Sequence, residues 1–248
     1  MKPVLHIDRL IGGYSMNKPV LHEISMKIYP GEMVGLIGLN GAGKSTTIKH
    51  ILGLMKPHKG TVQLNGLSLQ EDPQAYRSVY GYVPESPIVY EEMTVKEHLE
   101  MTALSRGMTQ QTMNERLGPL MERFRMTKHE KQLSAHLSKG MKQKLMIMNA
   151  FLAEPELYII DEPFLGLDPL AIRSLLNLMV DAKESGSAIL MSSHILSTIE
   201  QYCNRFLILH QGHLVAQGTL EELREKSGLK DAGLERLFEY FVLDGIEQ

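Results

Sequence analysis

Val34-Gly35-Leu36-Ile37 is followed directly in this chain by Gly38-Leu39-Asn40-Gly41-Ala42-Gly43-Lys44-Ser45. The first four residues form a short apolar run, which is typical of a strand buried on both faces. The next eight fit the pattern G-x-x-x-x-G-K-[S/T], and residues 46–54 have the character of a helix. A strand, a glycine-rich loop and a helix in this order predict a loop that binds nucleotide phosphates.

Each part of this loop has a chemical reason. Its glycines let the backbone curl so that several N–H groups converge on phosphate oxygens, and the start of the following helix adds partial positive charge. Lys44 is expected to reach the β- and γ-phosphates, and the Ser45 hydroxyl to ligate Mg²⁺. The nucleotide-binding residues predicted here are Gly38, Leu39, Asn40, Gly41, Ala42, Gly43, Lys44, Ser45 and Thr46.

Further along the chain, the apolar runs 157–160, 188–191 and 206–209 also resemble buried strands. A helical pattern at 169–184 separates the first two of them, and this alternation favours a parallel sheet covered by helices. Nearer the N-terminus, residues 4–10 and 20–28 have period-2 character and predict antiparallel strands. The expected fold class is therefore α/β, with a mostly parallel sheet and an N-terminal antiparallel part.

The middle of the chain carries helix signals only, from residue 94 to residue 153. A capping box begins at Thr94, Thr109 is placed to cap a second helix, and Ser138 is placed to cap a third. Another capping box begins at Thr219, ahead of an amphipathic C-terminal segment. These signals predict an α-helical insertion in the sheet and a short helical tail.

Two carboxylates, Asp161 and Glu162, follow the apolar run 157–160. Strands of this kind present their carboxyl ends to the ligand in open α/β sheets. Asp161 is expected to hold Mg²⁺, and Glu162 to polarise the water that attacks a γ-phosphate. Alone, an acidic strand end is only moderately specific, but with the phosphate loop it becomes a strong signal.

Composition limits the remaining possibilities. The chain has 248 residues, 43% of them hydrophobic and 22% charged, which excludes a disordered or coiled-coil protein. A formal charge of −3 makes nucleic acid an unexpected partner. Cys203 is the only cysteine, which fits a reducing compartment, and neither a signal peptide nor an apolar run long enough to span a bilayer is evident. We therefore expect a cytoplasmic protein.

Five motifs then occur in one order: the phosphate loop, L-S-K-G-M at 137–141, Asp161-Glu162, G-L-D at 166–168, and Ser193-His194. In that order and spacing the chain resembles the ATPase subunits of ABC transporters over residues 1–220. The segment between the phosphate loop and Asp161 resembles in particular the ATPases of Ecs-type exporters. The resemblance implies a RecA-like P-loop NTPase core and an ATP-hydrolysing motor that uses ATP and Mg²⁺.

The resemblance also implies roles for individual residues. Ser138, Lys139, Gly140 and Met141 would contact the γ-phosphate of ATP on an opposite subunit, although Lys139 and Met141 depart from the family's Leu-Ser-Gly-Gly-Gln. Asp168 would lie in the loop that crosses the interface of this dimer. The departures bear on dimer affinity and turnover rate more than on the mode of binding.

Three further residues receive roles from the resemblance. Tyr14 would stack on adenine, and His194 would sense the γ-phosphate, which makes it catalytic alongside Glu162 and Lys44. Glu85 stands where the family usually has a glutamine near the Mg²⁺ shell. Glutamate keeps the side-chain oxygen of glutamine, but it adds a negative charge beside Asp161 and Glu162. Whether Glu85 ligates the metal directly is therefore left open by the sequence.

The expected assembly follows from the same resemblance. Two copies of the chain would close head to tail around two ATP molecules and drive an integral membrane permease, from the inner face of the cell membrane and in the direction of export. The expected organisation is one domain, 1–248. Its parts are a β-subdomain and RecA-like core (1–84 and 154–218), a helical subdomain with the signature (85–153) and a C-terminal tail (219–248).

Two alternatives remain beside the transporter motor. A soluble ABC-type ATPase switch would act on the ribosome or DNA, but Lys44 and Ser138 are too close in sequence for the long coiled coil of chromosome-structure ATPases. A nucleotide kinase or GTPase would leave the signature segment and His194 unexplained. The transporter motor is therefore the leading hypothesis.

Overall fold

Two β-sheets hold the strands of residues 1–243, the part of the chain that the computed structural model describes. The strands in chain order are β1 (Leu5–Gly12), β2 (Leu21–Ile28), β3 (Met33–Ile37), β4 (Lys59–Leu64), β5 (Tyr80–Val83), β6 (Leu157–Asp161), β7 (Ala188–Ser192), β8 (Arg205–His210) and β9 (His213–Gly218). The helices are α1 (Lys44–Ile51), α2 (Pro73–Ser78), α3 (Val95–Ser105), α4 (Gln110–Arg123), α5 (Lys139–Leu152), α6 (Pro169–Glu184), α7 (Leu196–Tyr202), α8 (Leu220–Ser227) and α9 (Leu234–Val242).

The larger sheet has the strand order β5-β6-β7-β3-β8-β9. Every neighbouring pair from β5 to β8 is parallel, and only β9 runs antiparallel, to β8. The central strands β3, β6 and β7 are buried at all five of their positions, as continuous apolar runs predict. The expected mostly parallel sheet is confirmed.

The smaller sheet has the order β2-β1-β4, and β1 pairs antiparallel with both neighbours. The two strands predicted near the N-terminus are thus confirmed. Strand β4 was not predicted, because its first three residues are exposed and polar or glycine. Pairing with β1, rather than local pattern, makes this segment a strand.

Side chains of the larger sheet alternate between two hydrophobic cores. Tyr158 and Ile160 of β6 belong to a core shared with helices α3 to α6, whereas Leu157 and Ile159 belong to a core shared with the smaller sheet and α1. Successive residues of a strand point to opposite faces, so one buried strand supplies both cores. The sheet is therefore the layer that joins the helical segment to the N-terminal strands.

The segment between β5 and β6 contains α3, α4, α5 and two short 3-10 turns. Thr94 Oγ1 accepts from the Glu97 N–H (3.2 Å) while the Glu97 carboxylate accepts from the Thr94 N–H (2.7 Å), which confirms the capping box. Thr109 and Ser138 cap α4 and α5 through their side chains. The helical insertion is thus present where the capping signals predicted it.

The tail begins with the predicted capping box of Thr219 and Glu222 and continues into α8 and α9. The Glu200 carboxylate of α7 accepts from the Leu234 N–H (2.9 Å) and so supplies a hydrogen bond to the start of α9. The last five residues of the predicted tail, 244–248, lie outside the described residues. Within residues 1–243, none of the helices combines the length and the apolar character needed to cross a membrane.

Candidate functional site

The glycine-rich loop joins β3, in the middle of the larger sheet, to α1. Gly43 precedes α1 with φ of +111°, a conformation that side chains other than hydrogen strongly disfavour. Lys44 is 8% exposed, and its ammonium donates to the carbonyl oxygens of Gly38 (2.7 Å) and Leu39 (3.4 Å). Residues 38–43 therefore form a loop whose first carbonyl groups are bound by Lys44, the first residue of α1.

The carboxylate of Asp161 lies at the carboxyl end of β6 and is 5% exposed. Burial raises the pKa of Asp161, and the negative charges of Glu85 and Glu162 raise it further, against the hydrogen bond from Ser192 and the charge of Lys44. Ser192 Oγ donates to Asp161 Oδ1 at 2.5 Å. The buried Asp161 carboxylate thus lies within reach of two further carboxylates and of Lys44, a charge distribution that a divalent cation would relieve.

The next residue, Glu162, has φ of +44°, which is unusual for a residue with a side chain. Its carboxylate oxygen Oε2 accepts from His194 Nδ1 (2.7 Å) and from the His194 backbone N–H (3.2 Å). Because a carboxylate only accepts hydrogen bonds, Nδ1 carries the proton. The imidazole is 74% exposed and the Glu162 side chain 16% exposed, so this pair lies at the rim of the site.

Tyr14 follows β1 and is 69% exposed. Lys49 of α1 donates to the Tyr14 hydroxyl (3.0 Å), and its ammonium lies 5.2 Å from the centre of the ring. The hydrogen bonds from Lys49 and then Thr46 lower the pKa of Tyr14. An exposed aromatic ring is therefore held beside the helix that starts at the phosphate loop.

The signature segment precedes α5. Ser138 Oγ accepts from the Met141 N–H (3.2 Å), so the predicted cap is confirmed, and Lys139 and Gly140 lie in the first turn. A Cβ atom on Gly140 would collide with the carbonyl oxygen of Gly166. This close approach places the signature directly against the loop that leads to α6.

Asp168 is the N-cap of α6. Its Oδ1 accepts from the Ala171 N–H (2.9 Å), and its Oδ2 accepts from Lys144 Nζ (2.7 Å). The hydrogen bond from Lys144 is the main reason that the pKa of Asp168 lies below its ordinary value. One residue thus joins the start of α6 to the signature helix.

Glu85 follows β5, the strand next to β6, and is exposed. Its negative charge contributes to the raised pKa of Asp161. Burial, together with the charges of Asp161 and Glu85, raises the pKa of Tyr82 to about 12. Its ligation of a metal remains a prediction.

The structure therefore brings Lys44, Glu85, Asp161, Glu162 and His194 to the carboxyl edge of the larger sheet. In the described part of the chain, no hydrogen bond or ion pair joins the signature residues 138–141 to the phosphate loop. The two groups of predicted site residues are thus not directly connected within one copy of the chain.

Sequence reasoning missed three residues that support this site: Ser192, Lys49 and Gln143. The Gln143 amide is fully buried in α5 and donates to the carbonyl oxygen of Pro84, the residue before Glu85 (3.0 Å). Ser192 had a detectable signal, because it ends an otherwise apolar strand run. Lys49 and Gln143 had none, since each is one polar residue among others on a helix.

The sequence model of the ABC transporter family matches residues 21–165. The chain is similar to the ABC-type transporter ATP-binding protein EcsA of Bacillus subtilis (strain 168), with 59% identity over 235 residues that cover 95% of each chain. It is also similar to the bacitracin transport ATP-binding protein BcrA of Enterococcus faecalis, with 36% identity over 92% of this chain and 73% of BcrA.

A solved structure of an ATP-binding subunit of an ABC transporter superposes with a TM-score of 0.94 at 50% identity, covering 96% of this chain and 99% of that one. These relatives are transporter subunits, and nothing in the comparisons supports the ribosome- or DNA-directed alternative. The chain therefore belongs to the ABC transporter family, as an ATP-binding subunit with ATPase activity coupled to transport.

Proposed function

We propose that two copies of this subunit close head to tail around two Mg-ATP and drive an exporting membrane permease. The observation that carries the proposal is the hydrogen-bonded pair of Glu162 and His194, next to Asp161, whose carboxylate feels the charge of Lys44 in the phosphate loop. In-line attack of water on a γ-phosphate requires positioning and charge neutralisation, and these residues provide both.

In this proposal residues 38–46 cradle the phosphates through their backbone N–H groups. Lys44 already donates to two loop carbonyls, and phosphate oxygens would compete for the same ammonium. Tyr14 would stack on adenine, with Lys49 holding the ring beside α1.

The residues present fit Mg²⁺, because every candidate ligand supplies an oxygen and the edge carries excess negative charge. Ser45 and Asp161 would hold the ion, and Glu85 would contact its shell. When bound, the ion would neutralise charge on the phosphates. Glu162 would then accept a proton from the attacking water, and His194 would orient the Glu162 carboxylate while its other ring nitrogen faces the substrate.

The head-to-tail arrangement is supported by the separation of the two groups of site residues. Ser138, Lys139, Gly140 and Met141 would contact ATP held by the second copy, with Lys139 as an added positive charge at the N-terminus of α5. Leu39 and Leu165 are 50% and 49% exposed beside the two groups, as a contact surface between copies would require. Asp168 would lie in the loop that crosses this interface.

The permease would contact the helical part of the chain. Ile88, Tyr90 and Leu104 are exposed by 77%, 61% and 76%, so a partner that covered them would remove apolar surface from water. They lie in the loop after Glu85 and at the end of α3. We place the subunit at the cytoplasmic face of the membrane, with no nucleic-acid partner.

The division into parts belongs to the same proposal. Residues 1–84 and 154–218 would form the rigid ATP-binding body, residues 85–153 the moving helical part, and residues 219–248 a tail fastened to the body. The contacts from Gln143 to Pro84 and from Lys144 to Asp168 would transmit the motion.

The first test is Glu162→Gln. We expect it to bind ATP normally, to lower the hydrolysis rate by about 10²–10⁴-fold, and to accumulate as a dimer in Mg-ATP, because the general base is lost while the binding groups remain. Steady-state hydrolysis, calorimetry and light scattering measure the three effects. Turnover at the parental rate would remove Glu162 from the proposed role.

A matched control is Glu154→Gln, which makes the same change at another glutamate with φ of +44°, whose partner Arg116 lies outside the site. It should hydrolyse ATP at the parental rate. The permease is tested by capture of tagged Glu162→Gln from native membranes in mild detergent with Mg-ATP. A multi-span membrane protein in stoichiometric amount supports the motor, whereas ribosomes or chromatin without it would overturn that part of the proposal.

A further inference from the structure

Ser192 is a fully buried polar residue at the carboxyl end of β7. The four residues before it in β7 are apolar and equally buried. A buried hydroxyl costs stability unless it forms hydrogen bonds, so its partners indicate what it does.

The sheet order places this hydroxyl between the two halves of the site. Strand β7 lies between β6, which ends in Asp161, and β3, which leads into the phosphate loop. Ser192 pairs in register with Asp161 on one side and with Leu36 on the other. Ser192 therefore lies beside Asp161 on one side, and on the other its backbone is held by β3, the strand that leads into the phosphate loop.

The only proton of the Ser192 hydroxyl is committed to Asp161, since Oγ donates to Oδ1 at 2.5 Å. No hydrogen bond from another described residue reaches the second carboxylate oxygen, Oδ2. The hydroxyl therefore selects one rotational position of the carboxylate and leaves Oδ2 available to a ligand.

Ser192 also holds the backbone of Glu162. The Glu162 N–H donates to the Ser192 carbonyl oxygen (3.1 Å) and approaches Ser192 Oγ (3.3 Å). Glu162 needs such support, because its φ of +44° is a strained conformation for a residue with a side chain. One serine thus contacts both consecutive carboxylate residues, one through its side chain and the other through its backbone.

We propose that Ser192 is a positioning residue, whose hydroxyl orients the Asp161 carboxylate toward Mg²⁺ and whose backbone carbonyl holds Glu162 at the reacting phosphate. The inference rests on the proposed roles of Asp161 and Glu162. Partners of metal ligands typically change metal affinity by about 10–100-fold when removed.

The test compares Ser192→Ala, Ser192→Cys and Ser192→Thr, since Cys keeps the size without a strong donor and Thr keeps the hydroxyl. Mn²⁺ affinity is measured by electron paramagnetic resonance with a non-hydrolysable ATP analogue, and nucleotide affinity is measured separately in EDTA. We expect Ala and Cys to weaken Mn²⁺ binding about 10–100-fold with unchanged nucleotide affinity in EDTA, and Thr to restore most of it. In steady-state hydrolysis kcat should fall while KM for ATP stays within about twofold.

Thermal unfolding in EDTA shows whether each variant folds, and Cys provides the result if Ala does not fold. Parental Mn²⁺ affinity in a folded Ala or Cys variant would overturn the proposal. Asp161→Ala distinguishes a failure of the positioning role of Ser192 from a failure of the proposed metal site. If it loses Mn²⁺ while Ser192→Ala does not, the positioning role fails alone; if it retains Mn²⁺, the proposed metal site fails with it.

Discussion

Burial changes the chemistry of several single side chains in this chain. Asp161, His50 and Cys203 are each less than 10% exposed, and in each case desolvation is the largest cause of the shift in pKa. Desolvation favours the neutral form of every one of them. For Asp161, a bound cation would offset the cost of desolvating the carboxylate. For His50 and Cys203, desolvation predicts a pH-dependent stability and an unreactive thiol, both outside the ATP site.

Cys203 is expected to be unreactive in the folded chain. Burial raises the pKa of its thiol to about 12, so at pH 8 only about one molecule in ten thousand carries the reactive thiolate. Labelling with a disulfide reagent at pH 8 should be slow in buffer and fast in denaturant. Equally fast labelling in buffer, with the far-ultraviolet circular dichroism unchanged, would contradict the burial of this thiol.

His50 predicts a loss of stability in mild acid. Its Nδ1 bonds to the Thr46 carbonyl oxygen (2.8 Å), and burial lowers its pKa from 6.5. Since the folded chain resists protonation, its contribution to the free energy of unfolding is present above pH 6.5 and is lost as the pH falls toward the lowered pKa.

Urea unfolding from pH 7.5 to pH 5 measures this effect. In His50→Gln, the free energy of unfolding should fall less between pH 7.5 and pH 5 than it does in the parent, because the contribution of His50 is removed. The control is His136→Gln, which removes an exposed imidazole in place of a buried one. An identical decline in the parent and in His50→Gln would show that other groups cause it.

The signature helix α5 connects the helical segment to the nucleotide-binding edge through consecutive contacts. Gly140 lies against Gly166, Gln143 donates to Pro84, and Lys144 pairs with Asp168. The first turn and a half of this helix therefore fastens the helical segment to the nucleotide-binding edge.

Gly140→Ala should destabilise the chain, although Ala favours helix more than Gly does by about 1 kcal/mol. Its Cβ would collide with a backbone oxygen that cannot rotate away, and such overpacking costs about 1–3 kcal/mol. Chemical unfolding measures the change. Gly118→Ala in α4 is the matched control, because nothing lies within 4 Å of its Cβ, and it should stabilise by about 0.5–1 kcal/mol.

A gain in stability for Gly140→Ala equal to that of Gly118→Ala would mean that the signature does not pack against the loop at Gly166. If the collision is real, the variant should also lose ATPase activity, since Ser138 would be displaced with the first turn of α5.

In the whole molecule, the larger sheet is the shared layer and the helical segment is attached to one of its faces. Polar contacts tie the helical segment to the rest of the chain near the site. Lys144, with 14% of its side chain exposed, and Asp168, with 51%, form one of these contacts between α5 and α6. The pair is only half shielded from water, so its energy is limited.

A double-mutant cycle with Lys144→Met and Asp168→Asn should give a coupling of about 0.2–1 kcal/mol at pH 7. Because Lys144 holds the pKa of Asp168 below its ordinary value, the coupling is present at neutral pH and is lost as the pH falls through that lowered pKa. Asn still caps α6, which keeps the helix start intact. Zero coupling energy in urea unfolding at pH 7 would show that the Lys144–Asp168 pair does not contribute to the stability of the contact between α5 and α6.

Predictions that depend on neighbours in sequence were confirmed. The strand and loop before Lys44, the caps at Thr94, Thr109 and Ser138, and the helix Pro169–Glu184 lie where the local pattern placed them. The helix predicted at 46–54 is present but runs from Lys44 to Ile51. Strand β4 and the short strand β5 were missed, because their local patterns are weak and their pairing partners are distant in sequence.

The phosphate loop and the acidic strand end could be identified from residue order alone, because backbone conformation and helix capping act over a few residues. The partners of the site could not. Ser192 and Asp161 are 31 residues apart, and Glu162 and His194 are 32 apart, and they meet only because β6 and β7 are neighbours in the sheet. Strand order results from burying both faces of the sheet at once, so it is a property of the whole packed chain and of no single segment.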